Sequence, residues 1–133
     1  MKKLILVLFI MTTLSCKSQN FQAKEINNFE LNNLVGNISA FKTYTLTDYL
    51  VNIVIVKNLS RSAKNEESGE VSNNLYVSQC EFGELSICKL YFLEDVINLN
   101  VERVYEDKTN IKIDIISGNY KQRKSNTILI SIN

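Results

Sequence analysis

Apolar and polar residues alternate at every second position through the last part of the chain. Ile111, Ile113 and Ile115 interleave with Lys112 and Asp114, and Ile128, Ile130 and Ile132 close the sequence in the same way. A period of two sends neighbouring side chains to opposite faces of a pleated strand, so both segments predict half-buried β-strands. Residues 75–80 alternate too. Residues 81–84 then turn, and 85–93 return with Leu85, Ile87, Tyr91 and Leu93 on one face. Glu94 and Asp95 break the run, after which Ile97, Leu99, Val101, Arg103 and Tyr105 form the next face. Residues 41–47 are rich in Thr and aromatics, while 49–56 (YLVNIVIV) is a β-branched run that reads as a central strand covered on both faces.

Turn chemistry separates these strands at residues 81–84, 106–110 and 117–119, and short connections suit antiparallel neighbours. One-sided alternation requires each apolar face to meet another sheet, itself or a helix. The expected fold is therefore all-β, an antiparallel β-sandwich or small open barrel of about seven strands. Residues 25–36 leave two readings open. Ile26, Phe29, Leu34 and Val35 fit one side of a short helix stopped by Gly36 that packs on half of the sheet, whereas Phe29 and Leu31 alternate as in a strand. Residues 60–74, with Lys64, Glu66, Glu67 and Glu70 around Gly69, have little to bury and predict a loop.

The beginning of the chain follows another pattern. Lys2 and Lys3 precede an unbroken apolar run from Leu4 to Met11, and Thr12, Thr13, Leu14, Ser15 and Cys16 follow. That run suits the core of a signal peptide and falls well short of the roughly twenty residues that span a bilayer. A small residue directly before a cysteine resembles the lipobox of bacterial lipoproteins. The resemblance covers the leader only. It implies removal of residues 1–15, a diacylglycerol on the thiol of Cys16, and acylation of the freed amine. Thr13 stands where the family prefers an aliphatic residue, and Thr13 and Ser15 also satisfy the small-x-small pattern of an ordinary secretory site, which leaves a soluble secreted protein as the alternative. Residues 17–24 (KSQNFQAK) would be a polar linker and 25–133 a single β-rich domain. In lipoproteins of this kind Asp after the cysteine favours the inner membrane. Lys17 therefore implies the outer membrane, facing the periplasm.

Composition narrows the chemistry. The chain has fifteen Lys and Arg, fourteen Asp and Glu, and no His. Loss of Lys2 and Lys3 with the leader would leave a net charge of about −1, which gives no electrostatic case for nucleic acid. Without His there is no Ser/His/Asp triad, no Cys/His pair and no imidazole metal ligand. No catalytic residue, metal ligand or cofactor motif is assigned. The pairs Glu66 and Glu67, Glu94 and Asp95, and Glu106 and Asp107 fall in expected turns, where solvated charge is the simpler reading.

Lipid on Cys16 would leave Cys80 and Cys88 as an even pair in a disulfide-permissive compartment. A loop centred on Glu84 sets the two opposite each other. A three-residue loop with Gly83 in the left-handed position instead pairs Cys80 with Glu84, and has the better turn chemistry. Lys121, Arg123 and Lys124 form a small basic cluster. It suits an anionic surface, or a strand edge whose charge discourages sheet-to-sheet pairing. Tyr76, Tyr91, Phe92 and Tyr105 lie on strands, where aromatics are usually core or cross-strand pairs.

The expectation is a lipid-anchored, non-catalytic interaction module that binds an envelope protein or a small apolar ligand. A second reading is an inhibitor or immunity-type protein acting against an envelope-directed toxin or hydrolase. An enzyme using carboxylates alone ranks last.

Overall fold

The computed structural model describes residues 25, 28–58, 69–83 and 87–132. The leader, Cys16, the linker 17–24, Ile26, the pair Glu66 and Glu67, and the tip of the 81–84 turn at Glu84 lie outside them. The described residues form one short helix, α1 (Phe29–Gly36), and seven strands: β1 (Ile38–Thr45), β2 (Tyr49–Lys57), β3 (Ser72–Glu81), β4 (Cys88–Ile97), β5 (Asn100–Glu106), β6 (Asn110–Ser117) and β7 (Lys124–Ser131). They make two antiparallel sheets, β1-β2-β3-β4 and β5-β6-β7, with every strand paired to its neighbour in sequence. The fold is an open, all-β, sandwich-like arrangement, as the alternation predicts.

The core lies between the sheets. Val51, Ile53 and Ile55 of β2 and Leu75 and Val77 of β3 cluster with Val101 and Val104 of β5, Ile111, Ile113 and Ile115 of β6, and Ile130 of β7. Tyr91 and Leu93 of β4 and Ala40 and Tyr44 of β1 pack against this cluster from the margins. At the rim of the inner face, buried Gln79 accepts a hydrogen bond of 3.2 Å from the Tyr91 hydroxyl.

Several sequence expectations need correction, and bulges account for two of them. An extra residue in one strand reverses which side chains face inward beyond it. Glu102 is such a residue: Val101 pairs with Ile115 and Arg103 with Asp114, so Val101 and Val104 point inward while Arg103 turns out. In β4, Glu94 and Asp95 together oppose Asn74, and Asp95 adopts a left-handed conformation (φ 56°). The acidic pair therefore bulges the strand and does not end it. Ser72 to Asn74, expected in a loop, are the first residues of β3.

Helix α1 begins at Asn28, whose side chain accepts from the Leu31 amide at 3.0 Å, and its last carbonyls are closed by Asn37. None of its residues is buried, contrary to the packing role expected of it. Its position is fixed by the chain, since Asn37 alone separates it from β1 and the Asn37 carbonyl accepts from the Lys57 amide at 2.9 Å.

Chain passage between the sheets takes only Asn98 and Leu99, which join β4 to β5. Asn98 is left-handed (φ 47°). Its Oδ1 accepts from the Val71 amide and its Nδ2 donates to the Gly118 carbonyl, each at 3.2 Å. One side chain thus holds the entry to β3, the corner and the β6–β7 turn together.

Candidate functional site

The two sheets present opposite kinds of outer face. On the three-stranded sheet Arg103 donates two hydrogen bonds to Asp114, at 2.8 and 3.1 Å, and Thr127 donates a third at 2.7 Å. The Arg103 guanidinium also lies 4.3 Å from the centre of the Tyr105 ring. Lys112 pairs with Asp107 at 2.6 Å. These charges are matched locally and stay in water.

Asp107 shows how this face is tuned. Lys112 and the amides of Thr109 and Asn110 hold its carboxyl well below the usual carboxylate range. Thr127 and Arg103 lower Asp114 in the same direction. A carboxylate whose folded pKa is depressed contributes stability that is complete above its unfolded value and fades as pH falls toward the folded one. Acid unfolding below about pH 4 should therefore become less steep in Asp107→Asn, and high salt should shrink the difference because the pair is exposed. Melting temperatures between pH 5 and pH 2 measure this.

The four-stranded sheet is different. Register and alternation place Phe41 and Thr43 of β1, Leu50, Asn52, Val54 and Val56 of β2, Asn74, Tyr76, Ser78 and Cys80 of β3, and Cys88, Leu90 and Phe92 of β4 on its outer face. Glu94, which opposes Asn74 in the β4 bulge, adds an exposed charge at one end of this face. Phe41, Val54, Tyr76 and Phe92 form one row across all four strands. The Tyr76 and Phe92 rings lie 4.7 Å apart between centres. Phe41 is 62% exposed, Leu90 70% and Phe92 48%, large values for such side chains. β2 is central, as expected, with its outer side chains half-buried at Leu50, Asn52 and Val54 and buried at Val56, and the exposed side chains of this face belong to the edge strands β1 and β4.

Beside the aromatic row runs a polar one, in which Thr43 donates to Asn52 at 2.9 Å with Ser78 next to them. One side of the face is bounded by α1. Between helix and sheet lies a shallow groove of about 410 Å³, lined by Leu34, Val56, Asn74 and Tyr76 together with the charged Glu30 and Lys57. Phe29, Leu31 and Val35 of the helix are exposed. The result is an apolar patch with charge confined to its margin at Glu30, Lys57 and Glu94. Aromatic enrichment with charge depletion is the composition of an interface centre.

At the far end of the face Cys80 and Cys88 are directly opposite and bonded to each other. The loop between them is therefore centred on Glu84, not on the shorter Gly83 turn with the better local chemistry. The bond closes a loop of sequence separation eight. Chain-entropy arguments assign such a closure roughly 2–3 kcal/mol. Cys80→Ser/Cys88→Ser should lose about that much in urea unfolding, with the largest increase in amide exchange at the β3–β4 end.

The remaining candidates separate. Arg123 donates to the Asn98 carbonyl at 2.7 Å and so braces the corner between the sheets, while Lys121 and Lys124 are exposed, Lys124 at the start of edge strand β7. Asp95 accepts from Asn58 at 2.7 Å and from Ser72 at 3.3 Å, and Glu106 accepts from the Thr47 amide at 3.0 Å. Each of these carboxylates ties one strand or loop to another. Among the described residues no three His, Cys, Asp or Glu side chains converge to hold a metal ion. Comparison with family models, with curated proteins and with solved structures finds no match to this chain.

Proposed function

We propose that this is a lipid-anchored binding module of the bacterial envelope, held by acylated Cys16 at the outer membrane facing the periplasm, and that it acts through the outer face of the four-stranded sheet without chemistry of its own. The observation that carries the reading is the contrast between the two outer faces. One keeps its charges paired in water. The other confines its charge to one margin, at Glu94, and leaves the large side chains of Phe41, Leu90 and Phe92 exposed. Exposing such surface is unfavourable by about 25 cal/mol per Å², a cost that binding would recover. A flat face bounded by an open groove suits a macromolecule better than a small apolar ligand, which is normally enclosed in a concave pocket.

A photo-crosslinking residue at position 92, in cells expressing the full chain, should give discrete adducts on illumination, and the same residue at position 129 on the opposite outer face should give none. Leu129 is a fair control because it is 61% exposed. Equal labelling from both positions, or none from position 92, would remove the site. The anchor is tested separately: Cys16→Ser should abolish palmitate incorporation and membrane fractionation, and unchanged labelling would remove that part.

A further inference from the structure

Resting on the reading of Cys16 as a lipid anchor, we propose that the end of the domain carrying the β6–β7 turn docks on the anionic phospholipid headgroups of the same membrane, with Lys121 and Lys124 as the contacts.

The first argument is topological. A series of backbone links runs from the start of the folded chain to this turn. The Asn37 carbonyl, directly after α1, accepts from the Lys57 amide at 2.9 Å, and the Ser72 carbonyl accepts from the Asn58 amide at 2.9 Å. Ser72 pairs with Ile97, whose carbonyl accepts from the Gly118 amide at 2.8 Å. Glu70, just before β3, accepts from the Tyr120 amide at 3.1 Å. The entry of the chain and the β6–β7 turn therefore share one end of the fold.

The length of chain back to the anchor agrees. Asn28 lies twelve residues after Cys16. A polar linker of that length spans roughly 20 Å as a coil and about 40 Å at full stretch. Such a tether holds this end near the bilayer at an effective concentration on the order of millimolar, so that even weak contacts become populated.

Charge supplies the third argument. Residues 119–124 are all exposed, and Lys121, Arg123 and Lys124 are the charged residues among them. Arg123 is engaged with the Asn98 carbonyl, which leaves the two lysines to meet a surface. The carboxylates bonded into this end are half-buried: Glu70 holds the Tyr120 amide, and Asp95 holds Asn58 and Ser72. Glu30 is offset by Lys57 in the groove, and Glu94 lies on the outer face of the four-stranded sheet. Among the described residues, the turns at the other end are acidic. Asp48 stands between β1 and β2, Glu81 ends β3, and Glu106 and Asp107 outnumber Lys108 between β5 and β6. Burial, and then the charges of Glu81, Asp48 and Glu106, push the Tyr49 phenol above its usual range. An anionic surface therefore attracts one set of turns and repels the other, and this selects an orientation that the tether already permits. Tyr120, 62% exposed beside the lysines, is a residue type that settles at headgroup level. Docked in this way, the strands stand along the bilayer normal and the outer face of the four-stranded sheet opens sideways.

The chain contains no Trp, so one introduced at position 122, in the turn, reports its own surroundings alone. The acylated full chain with Gln122→Trp is inserted into vesicles of equal parts phosphatidylglycerol and phosphatidylcholine that carry brominated phosphatidylcholine. Its fluorescence should be quenched there, and should recover in phosphatidylcholine alone or at high salt. Lys108→Trp, in a turn at the other end, should be unquenched in both lipids. Each cation at such a surface shifts the docked population about fivefold. Adding Lys121→Glu and Lys124→Glu should therefore lower it at least about twenty-five-fold and return the Gln122→Trp signal to its neutral-vesicle level, with flotation and melting temperature unchanged. Quenching that is equal in the two lipids, equal from Lys108→Trp, or insensitive to the two glutamates would overturn the inference. So would a Gln122→Trp signal that stays unquenched while the protein floats with the vesicles, and in that case the anchor stands. A chain that does not float at all has lost the anchor, and this inference with it.

Discussion

Ile113→Ala is expected to lower the unfolding free energy by about 3–4 kcal/mol, whereas Phe92→Ala, the loss of a larger side chain, should cost less than about 1 kcal/mol. Ile113 is fully buried on β6, the middle strand of its sheet, and belongs to the cluster joining both sheets. Truncating it removes apolar contacts and leaves a cavity that paired strands on both sides keep from collapsing. A domain of this size has only about 5–15 kcal/mol in total, so that loss is a large fraction. Phe92 is half exposed, and its main described contact is the ring of Tyr76. Urea unfolding followed by circular dichroism measures both. Equal costs would mean that the outer face is packed within the chain itself, and the case for a binding surface there would fall. The expected inequality says the reverse: bulky side chains are kept where they add little to the stability of one chain.

What the sequence conveys about this fold follows from what alternation can encode. At β6 the inward isoleucines and outward Lys112 and Asp114 differ sharply, and both strand and face could be read directly. At β5 and β4 the alternation slips by one, because the extra residues Glu102 and Asp95 carry little compositional mark of a bulge. Asp tolerates left-handed backbone, which is the one hint available at position 95. The candidate site was hidden for a different reason. The run YLVNIVIV reads as a strand covered on both faces, and its outer side chains are half-buried or buried; the exposed apolar side chains sit on the flanking strands, and only the register sets Phe41, Leu90 and Phe92 on one face. The cysteine pairing turned on loop length, where the locally better Gly83 turn gave way to the register that β2 and β3 impose on β4.

That same dependence on the joint between sheets makes Asn98→Ala the second large effect, at about 2–4 kcal/mol. Two costs combine. Alanine in the left-handed region is disfavoured by about 1 kcal/mol relative to asparagine or glycine. The substitution also removes the acceptor for the Val71 amide and the donor to the Gly118 carbonyl, and a partly buried backbone group left unpaired costs about 1–3 kcal/mol. Asn98→Gly separates the terms, since it keeps the backbone conformation and loses only the side-chain bonds; it should recover part of the stability but not all. The segments released should be the start of β3 and the β6–β7 turn, because Asn98 touches both, and hydrogen exchange at the Val71 amide reports the first directly. Neither change lies on the aromatic face. Crosslinking from position 92 should therefore persist in Asn98→Gly at temperatures where the variant remains folded, and its loss there would mean that the corner and the binding face are coupled through the β4 strand that connects them.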